Sequence, residues 1–243
     1  MKIAIGFFGI TRSLKYTIDS IEENIFNVFK ENNIEYDIFM HTYFLKSYQN
    51  KRAKEEKTDK IDNEEYKLLF PKYLTIDDQD EIREKLNLKS YRKHSDPWDT
   101  NYQSVDFYIL GSYSRYILTG MIENVEDNYD YILFVRPDCI YRNKFDIKYL
   151  DLVNYNTIAI PNFCLMETKA GNVNDRFAIT NKDTYKIYGQ IFLQLLDLSK
   201  KMPLHSETIL GLILFNNNIF IKHINFRFAR IRCNGSIDSR DPR

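Results

Sequence analysis

The hydrophobic and polar positions of the chain follow two periods, and each period predicts one kind of element. The opening run "KIAIGFFGI" is almost wholly apolar and predicts a buried strand. From Ser13 to Val28 apolar residues recur at intervals of three and four, which predicts an amphipathic helix. A second apolar run, Tyr36 to Phe44, follows turn residues and predicts another strand. This βαβ order predicts a parallel sheet, because parallel neighbours need a crossover connection.

The same two periods organise the second half of the chain. Residues 103–123 place apolar side chains on one broad face and predict a helix, which leads into a strand at Tyr131–Val135. The later predicted elements are a strand in 156–163, a helix after the capping-box pair Thr180 and Asp183, a helix capped by Ser206, and a strand-rich ending over 218–232. The pattern predicts an α/β fold with a mostly parallel central sheet flanked by helices.

One segment departs from this pattern. From Lys46 to Lys67 the chain is dense in Lys, Glu and Asp, which is typical of a solvated helix or a mobile excursion that carries no chemistry. Residues 76–88 predict a short capped helix, and residues 94–99 predict a loop. We therefore expect a single domain over residues 1–243, with a charged excursion over residues 46–95.

Composition excludes several classes of protein. Hydrophobic residues make up 44% of the 243 positions and aromatic residues 15%, which excludes a disordered or collagenous chain. The 34 basic residues balance the 34 acidic ones, so no global field would attract the chain to nucleic acid or to an anionic membrane. Any anion that the protein binds must therefore be held by a local site.

Cysteine usage and the apolar runs predict a cytoplasmic protein. Cys139, Cys164 and Cys233 have no metal-ligand spacing and read as reduced thiols. The first apolar run is short and lacks a cleavage site, so it predicts an internal strand and not a signal peptide. No run reaches the roughly 18 apolar residues that a transmembrane helix needs.

Two stretches at predicted strand ends are candidates for ligand binding. In the loop Gly6–Ser13 the glycines allow close approach of a ligand, and Arg12 at a helix start favours an anion. Its spacing matches neither the dinucleotide fingerprint nor a Walker loop, so a plain turn is equally compatible. "RPD", Arg136 to Asp138, follows the central strand, where open α/β sheets bind ligands. Asp138 suits Mg²⁺ or Mn²⁺, and a surface ion pair is the alternative.

Three further stretches carry polar residues that local pattern alone leaves ambiguous. "NDRF", with Asp175, is compatible with an ordinary turn. Glu207 in the first turn of a helix is favoured by the helix dipole whether or not it performs chemistry. In the basic ending, alternation along a strand would place Arg230 and Arg232 on one face, as a phosphate clamp or as a solvated face.

Taken in order, these stretches resemble a family of small GT-A-like glycosyltransferases found in large DNA viruses and in bacterial surface-polysaccharide clusters. The stretches that carry the resemblance are "IAIGFFGITRSLKYTIDSI", "YDIFMHTY", "YDYILFVRPDCIY", "NDRFAITNKDTYKIY", "HSETILGLIL" and "FRFARIRCNG". They cover most of the chain outside the charged excursion. The resemblance implies a Rossmann-like domain that transfers a sugar from a nucleotide sugar, a UDP-sugar first, to a glycan or other hydroxyl acceptor.

The resemblance also implies roles for particular residues. Asp138 matches the last acid of the family's Asp-x-Asp motif and would bind Mn²⁺ or Mg²⁺, whereas Arg136 stands where the first acid is expected. Glu207 matches the catalytic base, and Asp175 is the alternate base or a ligand of sugar hydroxyls. The residues implied to bind the nucleotide sugar are Gly6, Phe7, Phe8, Gly9, Arg12, His41, Thr42, Arg136, Arg230 and Arg232.

Two other functions compete with glycosyl transfer. A nucleotidyltransferase that forms sugar nucleotides would show a longer Gly- and Lys-rich loop at its start, which this sequence lacks. A catalytically inactive nucleotide- or sugar-binding module would keep the strands and the first loop without needing Glu207 or Asp175.

Overall fold

The computed structural model describes residues 1–241, so residues 242 and 243 of the predicted domain lie outside it. Its strands are β1 (Lys2–Phe8), β2 (Glu35–Phe44), β3 (Tyr48–Asn50), β4 (Glu55–Thr58), β5 (Tyr73–Asp78), β6 (Tyr131–Val135), β7 (Cys139–Tyr141), β8 (Thr157–Pro161), β9 (Met166–Thr168), β10 (Gly171–Val173), β11 (Ala178–Asn181), β12 (Phe220–Ile224) and β13 (Phe228–Arg230). Its helices are α1 (18–31), α2 (Gln79–Lys85), α3 (Gln103–Glu123), α4 (Tyr185–Gly189), α5 (Phe192–Ser199) and α6 (Ser206–Asn216).

The described chain is built on a seven-stranded sheet in the order β12-β8-β11-β6-β1-β2-β5. Strand β1 lies parallel between β2 and β6, and β5 and β12 extend the sheet with further parallel pairs. Strand β11 runs antiparallel to β6 and β8. The predicted α/β class, with a mostly parallel central sheet flanked by helices, is confirmed.

Side chains of the central strands alternate between two apolar cores. In β1, Ile3, Ile5 and Phe7 enter the core covered by α1, whereas Ala4 and Phe8 enter the core covered by α3. Strand β6 alternates in the same way. Full burial of one such large side chain stabilises the fold by about 1.5–3 kcal/mol. The two cores therefore fix the register of β1 and β6, whose ends carry the candidate residues.

The first predicted helix is present but not regular. A 3₁₀ turn, Leu14–Tyr16, precedes α1, and the middle of α1 is a π-helical turn, Glu22–Phe26. Within this turn the Asn24 carbonyl accepts a hydrogen bond of 2.8 Å from the Phe145 backbone. A wide turn of this kind frees a carbonyl from the regular helical ladder. The segment after β7 is thereby tied to α1.

The charged stretch from Lys46 to Lys67 differs from the predicted solvated helix. It forms an antiparallel hairpin of β3 and β4, followed by a 3₁₀ turn, Glu65–Leu69. The hairpin is held by distant partners, since Glu55 accepts a 2.9 Å hydrogen bond from the Cys233 backbone. Residues 76–88 contain the predicted capped helix as α2, but they begin inside β5, and Asp78 is the cap.

Two predicted helix caps were wrong. Thr180 lies within β11 and donates to the Ile132 carbonyl at 2.8 Å, because this stretch is a strand and not a helix start. Asn181 instead closes the turn, since its side-chain oxygen accepts hydrogen bonds from the backbones of Asp183 and Thr184. Ser206 is the first residue of α6, and His205 stands at the cap position without a side-chain cap.

Across residues 1–241, none of the helices combines the length and the apolar character that crossing a lipid bilayer requires.

Two glycines allow the packing of α3 on β1 to be tested. A Cβ at Gly6 would lie 2.7 Å from the Leu118 side chain, whereas a Cβ at Gly120 would meet no atom within 4 Å. We expect Gly6→Ala to lower the free energy of unfolding by about 1–3 kcal/mol through overpacking. We expect Gly120→Ala to raise it by about 1 kcal/mol through better helix propensity. Urea denaturation measures both, and equal effects of the two changes would contradict this role of Gly6.

Candidate functional site

A cavity of about 290 Å³ lies at the carboxyl ends of β1 and β6. Phe7 is in register with Val135, so the loops that follow the two strands emerge side by side. Gly9 and Arg12 line the cavity from the first loop, and Arg136 and Asp138 line it from the second. Parallel pairing therefore brings together the two stretches that the sequence marked as candidates.

The Asp138 carboxylate binds two guanidinium groups at the floor of this cavity. Arg136 donates to both of its oxygens, at 2.9 and 2.8 Å, and Arg12 donates to Oδ2 at 3.3 Å. The Asp138 residue is 2% exposed. Burial acts to raise the pKa of Asp138, but Arg136 and Arg12 outweigh it and hold that pKa well below the usual range. Asp138 is therefore an anion throughout the physiological range.

Backbone contacts hold the Arg-Pro-Asp turn and bring the end of the chain to it. The Thr17 hydroxyl donates to the Pro137 carbonyl at 2.6 Å. Strand β13 pairs with β7 and sets Arg230 opposite Cys139. The Ile231 backbone then donates to the Asp138 carbonyl at 2.7 Å. Arg230 and Arg232 consequently line the same cavity as Asp138.

Two acids near the end of the chain position the surrounding arginines. Asp241 accepts from Arg230 Nε and Nη2 at 2.9 and 2.7 Å, and from Arg176 at 2.8 Å. Asp238 accepts from Arg240 at 2.7 Å and also pairs with Arg232. These bonds are charge-assisted, the Arg230 and Arg240 pairs are bidentate, and such pairs fix the plane of a guanidinium group.

The cavity is strongly basic. Within residues 1–241, eight arginines line it against three acids, Asp138, Asp175 and Glu207. The eight arginines are Arg12, Arg52, Arg115, Arg136, Arg176, Arg230, Arg232 and Arg240. Burial, together with the neighbouring charges of Arg12 and Arg230, lowers the pKa of Arg232 to about 10. A bound anion would relieve this mutual repulsion between guanidinium groups.

The two remaining acids lie together at another wall of the cavity. Glu207 is in the first turn of α6, and its Oε2 accepts a hydrogen bond of 2.5 Å from the Ser206 hydroxyl. Its side chain is 17% exposed. Burial, and next the charge of Asp175, raise the pKa of Glu207 above its ordinary value. A carboxylate with a raised pKa, open to a cavity, is suited to accept a proton.

The structure brings most of the candidate residues from the sequence to this cavity. Those that line it are Phe8, Gly9, Arg12, Arg136, Asp138, Asp175, Glu207, Arg230 and Arg232. Gly9 has φ +96°, a conformation that favours glycine, and its backbone donates to Ser114 at 2.8 Å. The first loop is thus fixed against α3.

Four candidate residues lie outside the cavity lining. Gly6 and Phe7 are inside β1, where Gly6 packs under Leu118. His41 is fully buried, with Nδ1 2.7 Å from the Ser114 hydroxyl and Nε2 3.1 Å from Asp77. Thr42 is 1% exposed. In this arrangement His41 braces β2 against α3.

The sequence reasoning missed several residues that line the cavity. Tyr48 and Arg52 come from the β3–β4 hairpin, and the Tyr48 ring lies 4.8 Å from the Arg12 guanidinium. Arg115 comes from α3, where the run "GSYSR" of small and polar residues in an apolar helix was the available signal. Trp98 comes from the predicted loop and lies against His205, with ring centroids 5.1 Å apart and ring planes tilted by 30°.

The donor set around Asp138 does not fit the Mn²⁺ or Mg²⁺ ion that the sequence predicted. Both oxygens of Asp138 accept hydrogen bonds from guanidinium groups, so a cation there would displace Arg136 or lie against its positive charge. The partners of Asp138 in this structure are therefore guanidinium groups.

Comparisons with known proteins give distant structural similarities. No protein-family model matches the chain, and no curated protein matches it. Mouse xyloside xylosyltransferase 1, in its apo form, is 10% identical with a TM-score of 0.46, over 92% of this chain and 85% of that one. The apo glycosyltransferase GlyE of Streptococcus pneumoniae TIGR4 is 15% identical with a TM-score of 0.43. That alignment covers 92% of this chain and 45% of GlyE.

The lowered pKa of Asp241 predicts how low pH weakens its ion pairs with Arg230 and Arg176. Burial opposes ionisation, but Arg230 and Arg176 outweigh it and lower the pKa of Asp241 to about 2. Its contribution to stability, about 2 kcal/mol, is complete above the unfolded-state pKa and is lost as the pH falls through the folded-state pKa. Urea denaturation should show a free-energy difference between wild type and Asp241→Asn that is constant from pH 5 to 7 and about half as large at pH 3. A difference that does not change with pH would contradict the assignment.

Proposed function

We propose that the protein is a glycosyltransferase that moves a sugar from a nucleoside-diphosphate sugar to a hydroxyl group of a glycan or other acceptor. The observation that carries this proposal is one cavity with a basic wall, Arg12, Arg136 and Arg232, and an acidic wall, Glu207 and Asp175. A diphosphate matches the basic wall, and a hydroxyl nucleophile needs a base such as the acidic wall offers.

The shape of the cavity supports a ligand of this class. Its volume of about 290 Å³ is close to the smallest volumes typical of ligand sites, about 300–1,000 Å³. Trp98 is a half-buried residue of the cavity lining, with its ring 5.2 Å from the Arg52 guanidinium and 5.1 Å from the His205 ring. Polar hydrogen-bonding groups next to an aromatic face suit the alternating polar and apolar surfaces of a sugar ring.

In a direct displacement, the acceptor oxygen forms a bond to the anomeric carbon while the bond from that carbon to the diphosphate oxygen breaks. The bonding electron pair leaves with the diphosphate, which gains one negative charge, and the arginines stabilise that charge. Glu207 takes the proton of the acceptor hydroxyl, and the Ser206 hydrogen bond fixes its orientation. Asp175 raises the basicity of Glu207 or contacts sugar hydroxyls.

The predicted Mn²⁺ or Mg²⁺ ion stays a prediction from the resemblance. By that resemblance such an ion would supply Lewis-acid stabilisation of the leaving diphosphate, but the donor set around Asp138 does not fit it. Because both Asp138 oxygens are already engaged by arginines, no step of the proposed mechanism passes through a metal.

A screen of donors tests the proposal directly. The full chain is mixed with UDP-, GDP-, dTDP- and CMP-sugars, with and without Mn²⁺, and binding and slow hydrolysis of each donor are measured. We expect one nucleoside-diphosphate sugar, a UDP-sugar first, to bind and to be hydrolysed slowly without an acceptor. Binding without turnover of any donor would instead favour the inactive binding module, and absence of binding would exclude both functions.

Glu207→Gln tests the catalytic base. The substitution keeps the shape of the side chain and removes its ability to take a proton, so we expect turnover to fall by about 10²–10⁴-fold while the donor dissociation constant changes little. Turnover assays and calorimetry on the same preparations measure the two quantities. Full turnover in the variant would exclude Glu207 as the base.

The pH profile tests the coupling between the two acids. A base must be deprotonated to act, so activity should fall as the pH drops through the raised pKa of Glu207. In Asp175→Asn the negative neighbour is gone, and the acidic limb of the kcat/KM profile should move to lower pH. A limb that stays in place in this variant would show that Asp175 does not act on Glu207.

A further inference from the structure

Arg115 is a buried cation without a counterion. Its residue is 4% exposed, it lines the cavity, and it forms no ion pair with an acid of residues 1–241. Its Nε has no hydrogen-bond partner, and its guanidinium lies 4.5 Å from the Tyr188 ring centroid and 5.6 Å from that of Phe8. A buried charge without a partner is strongly unfavourable, and an anion in the cavity is the partner that this position lacks.

The charges around the cavity do not balance. Glu55, Asp238 and Asp241 pair with lining arginines from outside the cavity surface. Even with these three acids added to the three that line it, the eight arginines leave an excess of two positive charges within the described residues. The diphosphate of a nucleotide sugar carries about two negative charges, so it would neutralise this excess.

Asp138 orients the arginines toward this anion. It accepts hydrogen bonds from Nε and Nη2 of Arg136 and from Nη2 of Arg12. The remaining guanidinium nitrogens, Nη1 of Arg136 and Nε and Nη1 of Arg12, do not bond to Asp138. A guanidinium group binds a phosphate through two parallel hydrogen bonds. A guanidinium whose plane is already fixed is favoured for this geometry.

We propose that the chain binds the diphosphate of its donor without a divalent metal: Arg115, Arg136 and Arg12 neutralise it, and Asp138 is the carboxylate that positions the last two. The inference rests on the proposed function for the identity of the ligand. It replaces the metal role that the resemblance gave to Asp138 with a positioning role. The leaving diphosphate accepts its electron pair as described above, and these arginines stabilise it.

Metal-free binding of inorganic pyrophosphate and of UDP, GDP and dTDP tests the proposal. The full chain is stripped of metal and titrated calorimetrically in EDTA, and then in Mn²⁺. We expect pyrophosphate and at least one nucleoside diphosphate to bind in EDTA, with Mn²⁺ changing affinity by less than about tenfold. Binding that needs Mn²⁺, or no binding of either ligand, would overturn the proposal.

Arginine variants show whether pyrophosphate binds at this site or is attracted only by the positive charge of the protein in general. We expect Arg115→Met to weaken pyrophosphate binding in EDTA by about tenfold or more, the loss typical of a hydrogen bond to a charged group. Arg142 is an exposed arginine outside the cavity lining and serves as the matched control. Equal affinities of Arg115→Met and Arg142→Met would overturn the role of Arg115.

Thermal unfolding tests the positioning role of Asp138. Asp138→Asn removes the carboxylate that fixes the guanidinium planes of Arg136 and Arg12, so pyrophosphate should raise the Tm of this variant less than that of wild type. Gly6→Ala, weakened in the core and not in the site, should show the wild-type shift. An Asp138→Asn shift as large as that of Gly6→Ala, or larger, would contradict the role. If Asp138→Asn does not fold, the same comparison is made with Asp138→Glu, which keeps the charge and displaces the carboxylate, and a shift equal to that of Gly6→Ala would then contradict the role.

Failure of this inference and failure of the proposed function give different results. Pyrophosphate binding in EDTA without turnover of any nucleotide sugar would refute the glycosyltransferase and leave the metal-free anion site standing. Turnover of a nucleotide sugar that EDTA abolishes and Mn²⁺ restores would refute the metal-free site and leave the glycosyltransferase standing.

Discussion

The ion pairs of Asp138 with Arg136 and Arg12 connect the two loops that carry the basic wall of the candidate site. Arg12 follows β1 and Arg136 follows β6, so the carboxylate between them joins the ends of the two central strands. A buried pair of this kind gains stability only when its remaining hydrogen-bonding groups are satisfied, since desolvation of the charges is expensive. The Asp138 backbone, with its partner Ile231, ties in the end of the chain as well.

The same electrostatic constraint explains why the hairpin and the tail lie where they do. Arg232 bonds to Glu55 in the β3–β4 hairpin and to Asp238 in the tail. Removal of either acid would leave a buried guanidinium near Arg12 with less compensation. Two polar segments with few apolar residues of their own are thus ordered by charge complementarity to the basic wall.

Sequence pattern predicted the elements in which apolar residues recur at a clear helical spacing or form a continuous run buried on both faces of the sheet. The helix over 103–123 and the strand Tyr131–Val135 have the bounds that their periods indicate. The β3–β4 hairpin could not be found in this way, because its partner Cys233 lies 178 residues from Glu55 and local pattern contains no trace of that contact. Thr180 and Asp183 satisfied a capping spacing, but pairing of β11 with β6 overrode it.

Local sequence pattern likewise indicated some residues of the candidate site and missed those whose position depends on distant contacts. Asp138 and Glu207 could be named as candidates because a strand end and a helix start are recognisable in a sequence, but local pattern left both ambiguous and their roles rest on the resemblance. Arg115 was not found, since a single arginine within a helix is usually exposed, and its 4% exposure depends on the packing of Phe8 and Tyr188 around it. A stretch of small residues in an otherwise apolar helix is the local trace of such a position.

The positive and negative charges of the cavity lie mainly on different walls. A carboxylate near eight arginines would ordinarily have a lowered pKa, and Asp138 does. Glu207 has a raised pKa instead, because its burial and its neighbour Asp175 outweigh positive charges that Asp138, Asp238 and Asp241 already compensate. The basic wall therefore keeps its attraction for an anion at short range without removing basicity from the acid opposite. That separation is what a displacement with a charged leaving group and a proton-accepting base requires of a single cavity.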